Sequence, residues 1–420
     1  MTRIVRGFAF LLLLSFEGLV ACAEDPSASP FLPDIDAPPH NYHARSLHDP
    51  FSLVMDRLQS DPRLDRSGEK PFLVSLLKIL GIPVSSQMLV FSTTSLQLRF
   101  ISTANPRAIY FSESVYVGYI PGGRIEVVGL DPELGAIFYI FDIPRDNQPI
   151  RFERSERCMN CHVSDDTGHV PGLVIKSVVP APGGGSLDAF RGGQSGHGIP
   201  FSERFGGWHV TGFLGTQHWG NVTGRSVGGV IQTIPNPPGE RFSFSKYPVA
   251  TSDILAHLLH EHQVGFVNRV VEAGYRARAT LFVSDGKLTP SQASELDEQA
   301  HRLTRYLLFA DEAAIPAGGV VPDPEFKSVF LEQRRKTSSG LSLKDLELTS
   351  RLFQHRCSYM IYSPVFQALP PVLKSRVYQR MQEALGERGG DKEFAYLTPA
   401  EKRSIRGILK ATLPDLQASW

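Results

Sequence analysis

The apolar residues of this chain change period once, and that change limits the fold more than any other feature. Between about Met88 and Asp142, short β-branched or aromatic runs cover 88–91, 96–101, 108–111, 115–120, 125–130 and 136–141. Asn105-Pro106, Pro121-Gly122-Gly123 and Asp131-Pro132 punctuate them. Short runs of period two, separated by turn residues, predict an antiparallel meander, with Pro-Gly-Gly as a hairpin. After about Thr251 the spacing becomes helical. Thr251 or Ser252 is expected to cap a helix running to about Arg276. Thr289-Pro290-Ser291-Gln292 and Thr398-Pro399-Ala400-Glu401 read as capping boxes with proline in the first helical position, opening helices to about Phe309 and Leu413. Residues 343–362 and 372–385 are amphipathic. The expected class is α+β: an antiparallel, β-rich N-terminal part over 71–245, then a helical part over 246–420 packed against it. Asn236-Pro237-Pro238-Gly239 marks the junction.

The β-rich part carries Cys158-Met159-Asn160-Cys161-His162. With 4 Cys and 13 His in 420 residues, shuffling yields about 0.001 such windows. C-x-x-C-H is the signature of covalent c-type haem attachment. Two thiols add to the two vinyl groups of one haem edge, and two intervening residues let the chain span that edge. The next residue then lies beneath the iron, where imidazole is a good ligand. Cys158 and Cys161 are the expected thioether residues and His162 the axial ligand, with one haem c per chain. Arg151, Arg154 and Arg157 precede the motif. Arg157 is a candidate for a propionate contact, since guanidinium matches carboxylate geometry, although solvated surface arginines would read the same way. A thioredoxin-like dithiol and half of a zinc site are the alternatives. A dithiol is expected in a βαβ unit, and zinc needs four ligands, whereas Cys357 lies on an apolar stretch.

Residues 1–23 have the form of an export signal. Arg3 and Arg6 precede an apolar run, and Ala21-Cys22-Ala23 is an A-x-A-like cut. Leu19-Val20-Ala21-Cys22 also fits a lipobox, which would leave a lipid anchor on Cys22. Export to the periplasm or membrane-anchored cell envelope suits c-type attachment, which in bacteria happens outside the cytoplasm. Residues 24–70 read as an extended tether or arm, with His40, His43 and His48 exposed. Lys+Arg and Asp+Glu are both 43, which gives no footprint of a nucleic-acid binder.

The motif resembles that of c-type cytochromes. Small cytochromes c set it near the end of an N-terminal helix and take a methionine from a later loop. Here it follows strands, and the later methionines are Met360 and Met381, both in stretches expected to be helical. A broader resemblance runs through Val84-Ser-Ser-Gln-Met-Leu-Val-Phe91, Pro121-Gly-Gly, Cys158-x-x-Cys-His, Gly206-Gly-Trp-His-Val-Thr-Gly212 and Ser358-Tyr-Met-Ile-Tyr-Ser363. It is to a group of exported bacterial cytochrome c-like proteins with a single attachment motif. What it implies is a periplasmic or cell-surface haem protein transferring single electrons to a redox partner protein. The alternative is a peroxidase- or oxidase-like haem enzyme, or a gas-binding protein, with an open iron position.

Candidates for the second axial position are His169, His209, His218, His257, His260 and His262. On a helix drawn from Ile254 at about 100° per residue, Ile254, Leu255, Leu258, Leu259, Phe266 and Val270 fill an arc from 0° to about 160°. His262 falls near 80° and His257 and His260 near 300° and 240°, so His262 is expected in the core. His262 is the first candidate and His218, in a Trp-rich segment, the second.

Overall fold

The computed structural model describes residues 32–144, 148–190, 195–386, 392–416 and 420. Residues 1–23, expected to be an export signal, lie outside them, Cys22 included. From Pro33 onward the chain is a single compact unit, 37% helical and 17% strand in a chain of class α+β.

The meander forms where the period of two predicted it. β1 (Met88–Val90), β2 (Arg107–Phe111), β3 (Val115–Tyr119), β4 (Ile125–Asp131), β5 (Gly135–Phe141) and β6 (Glu153–Arg154) pair antiparallel in sequence order. The Pro121-Gly122-Gly123 turn joins β3 to β4, with the Gly123 N–H donating to the Ile120 carbonyl at 2.8 Å. Gly122 takes φ 79°, a left-handed conformation that glycine adopts freely. Residues 96–101 are a 3-10 turn at Leu98–Phe100 instead of a strand, because the Ser95 hydroxyl accepts the Gln97 N–H and winds the chain.

Strand alternation gives the sheet two unlike faces. The first carries Leu89, Ala108, Tyr110, Val117, Val127, Ile137 and Tyr139, all buried. Two helices, α1 (Ser52–Leu58) and α2 (Glu69–Ile79), share its core. This corrects the reading of 24–70 as a free arm from Pro33 onward. Tyr42, Phe51, Leu58 and Leu64 are buried in that core. Buried Asp49 accepts the Phe51 and Ser52 N–H groups on one oxygen and the Tyr139 hydroxyl, at 2.6 Å, on the other. His40 is buried and stacked on Tyr275, whereas His43 is exposed.

Beyond α3 (Met159–His162), β7 (Ser177–Pro180) pairs with β8 (Ser186–Phe190), and β9 (Trp208–His209) joins the sheet beside β1. Among the described residues the sheet order is β6-β5-β4-β3-β2-β1-β9. Three further strands follow: β10 (Phe213–Leu214), β11 (Val222–Val227) and β12 (Val230–Pro235), the last two forming a hairpin.

The second face of the sheet lies under α4 (Ile254–Val283). Its cap is Asp253, whose carboxylate accepts the Leu255 N–H, and not the expected Thr251 or Ser252. Ser252 ties the β1 and β9 backbones to the start of the helix. Farther along, the Gln263 side chain accepts the Tyr116 hydroxyl and the Tyr275 hydroxyl donates to the Leu134 carbonyl. The predicted boundary near 245 is therefore a change of secondary structure inside a single unit, because α4 belongs to both cores.

The helical part continues with α5 (Pro290–Leu307), opened by the Thr289–Gln292 capping box. β13 (Val320–Val321), paired with β10, then leads to α6 (Pro324–Glu332). α7 (Pro364–Gln367), α8 (Pro371–Ala384) and α9 (Pro399–Thr412) complete it. The amphipathic stretch 343–362 is turns and a 3-10 segment, Tyr359–Tyr362, and not a helix. Acidic side chains capture its backbone: Asp345 accepts the Ser342 N–H, and Glu347 accepts those of Thr349, Ser350 and Arg351.

Candidate functional site

β6 runs directly into Cys158-Met159-Asn160-Cys161-His162, so the motif sits at one edge of the sheet. The first half is a 3-10 turn, Glu156–Cys158, and the second is α3. Cys161 is exposed and Cys158 partly buried, and both are free thiols. Burial pushes the Cys158 thiol above its ordinary value, against a hydrogen bond from Ser155.

His162 turns from this edge onto the second face of the sheet. Its ring lies 4.6 Å from that of Phe138 on β5. Nδ1 is 2.8 Å from the Gly172 carbonyl, so it carries the proton and donates. The Gly172 N–H donates back to the His162 carbonyl at 3.0 Å. Nε2, the lone-pair nitrogen of this tautomer, has no hydrogen-bond partner among the described residues. Burial lowers the pKa to about 4, so the ring is neutral at ordinary pH. A neutral imidazole with one nitrogen anchored on a backbone carbonyl and the other open is the form in which histidine binds metals.

The loop that holds His162 is itself fixed by α4. Asn268 accepts the Leu173 N–H and donates to the Leu173 carbonyl, both at 2.8 Å. A Cβ on Gly172 would stand 2.6 Å from the Asn268 Oδ1 and 2.9 Å from the Thr167 Cβ. Gly172→Ala is therefore expected to shift His162 and to cost about 2 kcal/mol, the usual scale of overpacking. The checks are the denaturant midpoint and, in haem-loaded protein, the Soret spectrum. If neither changes, the loop does not orient the ring.

Around His162 the second face is open where the first is sealed. Ile109, Val128, Arg107 and Glu126 are only partly buried, and Gly118 between them has no side chain. Arg107 and Glu126 pair across the gap over Gly118. Glu126 also accepts from the Ser95 hydroxyl at 2.7 Å and the Gln97 amide at 3.0 Å. The Arg107 Nε is a buried donor with no acceptor among the described residues. Charges on Arg107 and Glu126 act on both Cys158 and His162, so the thiols, the imidazole and the guanidinium share a neighbourhood. At the far side of the trough is His260 of α4, its ring 5.3 Å from Phe111 and 5.6 Å from Tyr116.

The remaining candidates lie elsewhere. His262 is in the core, as the helical arc predicted, but both its ring nitrogens are occupied there. Nδ1 is 2.9 Å from the His197 Nδ1 and Nε2 is 2.8 Å from the Ser358 hydroxyl. Its ring stacks on Tyr306 and Phe309, on the helical side of α4 and away from the sheet. That is a hydrogen-bonded core histidine, and it corrects the choice of His262. His218 accepts the Gly220 N–H and stands edge-on to Phe205. Phe205 also meets His257, which hydrogen-bonds the His209 carbonyl of β9. This group sits at the opposite edge of the sheet from the motif. His209 itself packs on Phe91 and Phe242, on the first face. His169 is within 2.8 Å of Asp165. Arg157 and Arg151 are exposed. Arg154 is committed to the Tyr42 carbonyl and ring.

Arg107 and Glu126 are the residues sequence reasoning missed, and His260 is a candidate it named without choosing. For His260 a signal existed. Ala256, His260, Val264, Val267 and Val271 form a second apolar stripe, between about 200° and 280° on the same helical projection. A helix with two apolar stripes is buried on two sides, and His257 and His260 are accordingly buried despite lying off the first arc.

A reactive dithiol is expected to have a lowered thiol pKa, and that of Cys158 is raised. No group of three or more His, Cys, Asp or Glu side chains able to hold a metal ion occurs among the described residues. Cys357 is fully buried and its thiol is pushed up by that burial, as a small core hydrophobe would be. No helix among the described residues is long and apolar enough to cross a membrane. In comparisons with known proteins, no protein-family model, curated protein or solved structure matches the chain.

Proposed function

We propose that the chain is an exported c-type haem protein, with one haem bound through Cys158 and Cys161 and His162 as an iron ligand, that transfers single electrons to a redox partner. The observation that carries this reading is the state of His162. It follows the two free thiols directly, its Nδ1 is anchored on the Gly172 carbonyl, and its Nε2 is open toward a partly apolar trough. The trough suits a flat apolar group with acidic substituents: Ile109, Val128 and Gly118 give it a thin floor, and Arg107 has an unused donor for a carboxylate. When bound, haem supplies an iron that changes oxidation state by one electron. The residues of the chain do the rest. Cys158 and Cys161 fix the position of the group, the Gly172 carbonyl orients His162 and raises its basicity, and α4 keeps water from one side. The N-terminal segment 1–23 supports a location in the periplasm or at the cell surface, with Cys22 as an anchor if it is lipidated.

The test is expression with a signal peptide and a working haem-attachment system. Purified protein is expected to keep haem through denaturing electrophoresis, with one haem per chain by its alkaline pyridine spectrum. Colourless protein under those conditions would remove the reading. If the ferric protein proves high-spin, with an open iron position, the enzyme or gas-binding alternative takes the place of electron transfer.

A further inference from the structure

We propose that His260, and not His262 or His218, is the second iron-directed imidazole of this chain. The proposal rests on the haem reading above and adds to it the ligand that decides whether the iron has an open position.

The register of the sheet sets the geometry. Phe111 opposes Tyr116, Tyr116 opposes Val128, and Val128 opposes Phe138, so these four side chains form a row across β2, β3, β4 and β5. His162 stands over the Phe138 end of the row, and His260 over the Phe111–Tyr116 end. Phe111, Tyr116 and Phe138 are 5%, 4% and 3% exposed. Val128, between the two histidines, is the one member left partly open. Tyr116 and Phe138 are two strand spacings apart, roughly 10 Å, so the two imidazoles stand on either side of Val128 and each must lean toward it for both to reach one iron. The open position in the row is the position the haem would cover.

The hydrogen bonds point the same way. His260 is 5% exposed, and its Nδ1 is buried without a partner. No hydrogen bond from its Nε2 is found among the described residues. A buried polar atom left unpaired costs about 1–3 kcal/mol, which a protein tolerates where something else completes the site. His262 leaves nothing to complete, since His197 and Ser358 take both its nitrogens.

The experiment is the ferric absorption and electron paramagnetic resonance spectrum of covalently haem-loaded protein. The unmutated protein is expected to be low-spin, His260→Ala high-spin with the low-spin form restored by added imidazole, and His262→Ala still low-spin. Should His260→Ala fail to fold, His260→Met gives the second reading: a low-spin protein whose near-infrared bands change from the bis-imidazole to the imidazole–thioether type. A low-spin His260→Ala protein, an unchanged band pattern in His260→Met, or a high-spin unmutated protein overturns the assignment. Each of those results is read on protein that already carries covalent haem. Absence of haem from the unmutated protein is a separate outcome, which removes the proposed function and this assignment with it.

Discussion

Gly129→Ala is expected to destabilise the fold by about 4 kcal/mol in chemical denaturation, a large effect for a single methyl group. Gly129 lies on β4, on the sealed face of the sheet, and a Cβ there would fall 2.0 Å from the Asp49 Oδ1 and 2.7 Å from its Cγ. Asp49 has no room to yield, because both oxygens are in use. One accepts two backbone N–H groups at the start of α1 and the other accepts the Tyr139 hydroxyl. Displacing the carboxylate leaves a buried hydroxyl and two buried N–H groups short of an acceptor, and overpacking adds to that. Asp49→Ala alone is expected to cost about 3 kcal/mol. The double variant should then be more stable than the sum of the two, since removing the carboxylate makes space for the methyl group. A Gly129→Ala midpoint equal to that of the unmutated chain would show that the segment before β1 is not docked on the sheet, as the sequence reading of an arm had it.

The second large effect is chemical. With Cys158 and Cys161 both changed to Ser, the chain is expected to lose all haem on denaturation, where the unmutated chain loses none. Either single change should leave one thioether, reduced haem content and a shifted pyridine spectrum. His162 and Gly172 are untouched by these changes, so double-variant protein reconstituted with free haem should still ligate iron through His162. The same variants separate haem from a reversible dithiol. If acid–acetone strips the unmutated protein of haem while mild oxidation joins Cys158 to Cys161 in a disulfide, the motif is a redox pair.

How much of this was legible depends on how local each signal is. The meander and its Pro121-Gly-Gly turn could be read because period two and turn chemistry act over a few residues. Thr289 and Thr398 could be read as helix starts for the same reason. The docking of 33–70 could not. Tyr42, Phe51, Leu58 and Leu64 follow no period, and what fixes them is Asp49 reaching Tyr139, far along the chain. Residues 343–362 carry a helical pattern, yet Asp345 and Glu347 draw the backbone N–H groups away from the helix. The thiols and His162 stood out as a motif because their spacing is contained in five consecutive residues. The trough did not, since Arg107, Glu126 and His260 come together only through strand register and the path of α4. A search for one apolar arc on α4 selected His262, whereas the helix has a second stripe and His260 stands on it.

The position of α4 in the chain bears on how such a protein is made. β1 to β6 pair in the order in which they occur, β2 to β5 by short hairpins that close quickly, and the motif follows at once. The helix that covers the trough begins only at Ile254. In a chain synthesised from its N-terminus, the sheet strands β1 to β6 and both thiols are present before α4 exists. Until α4 docks, the second face of the sheet has no helix over it, so the strands beside the motif are more accessible in the half-made chain than in the finished one. Once α4 has docked, Asn268 clamps the loop behind His162. The order of elements along the chain thus sets the order in which the surroundings of the motif close.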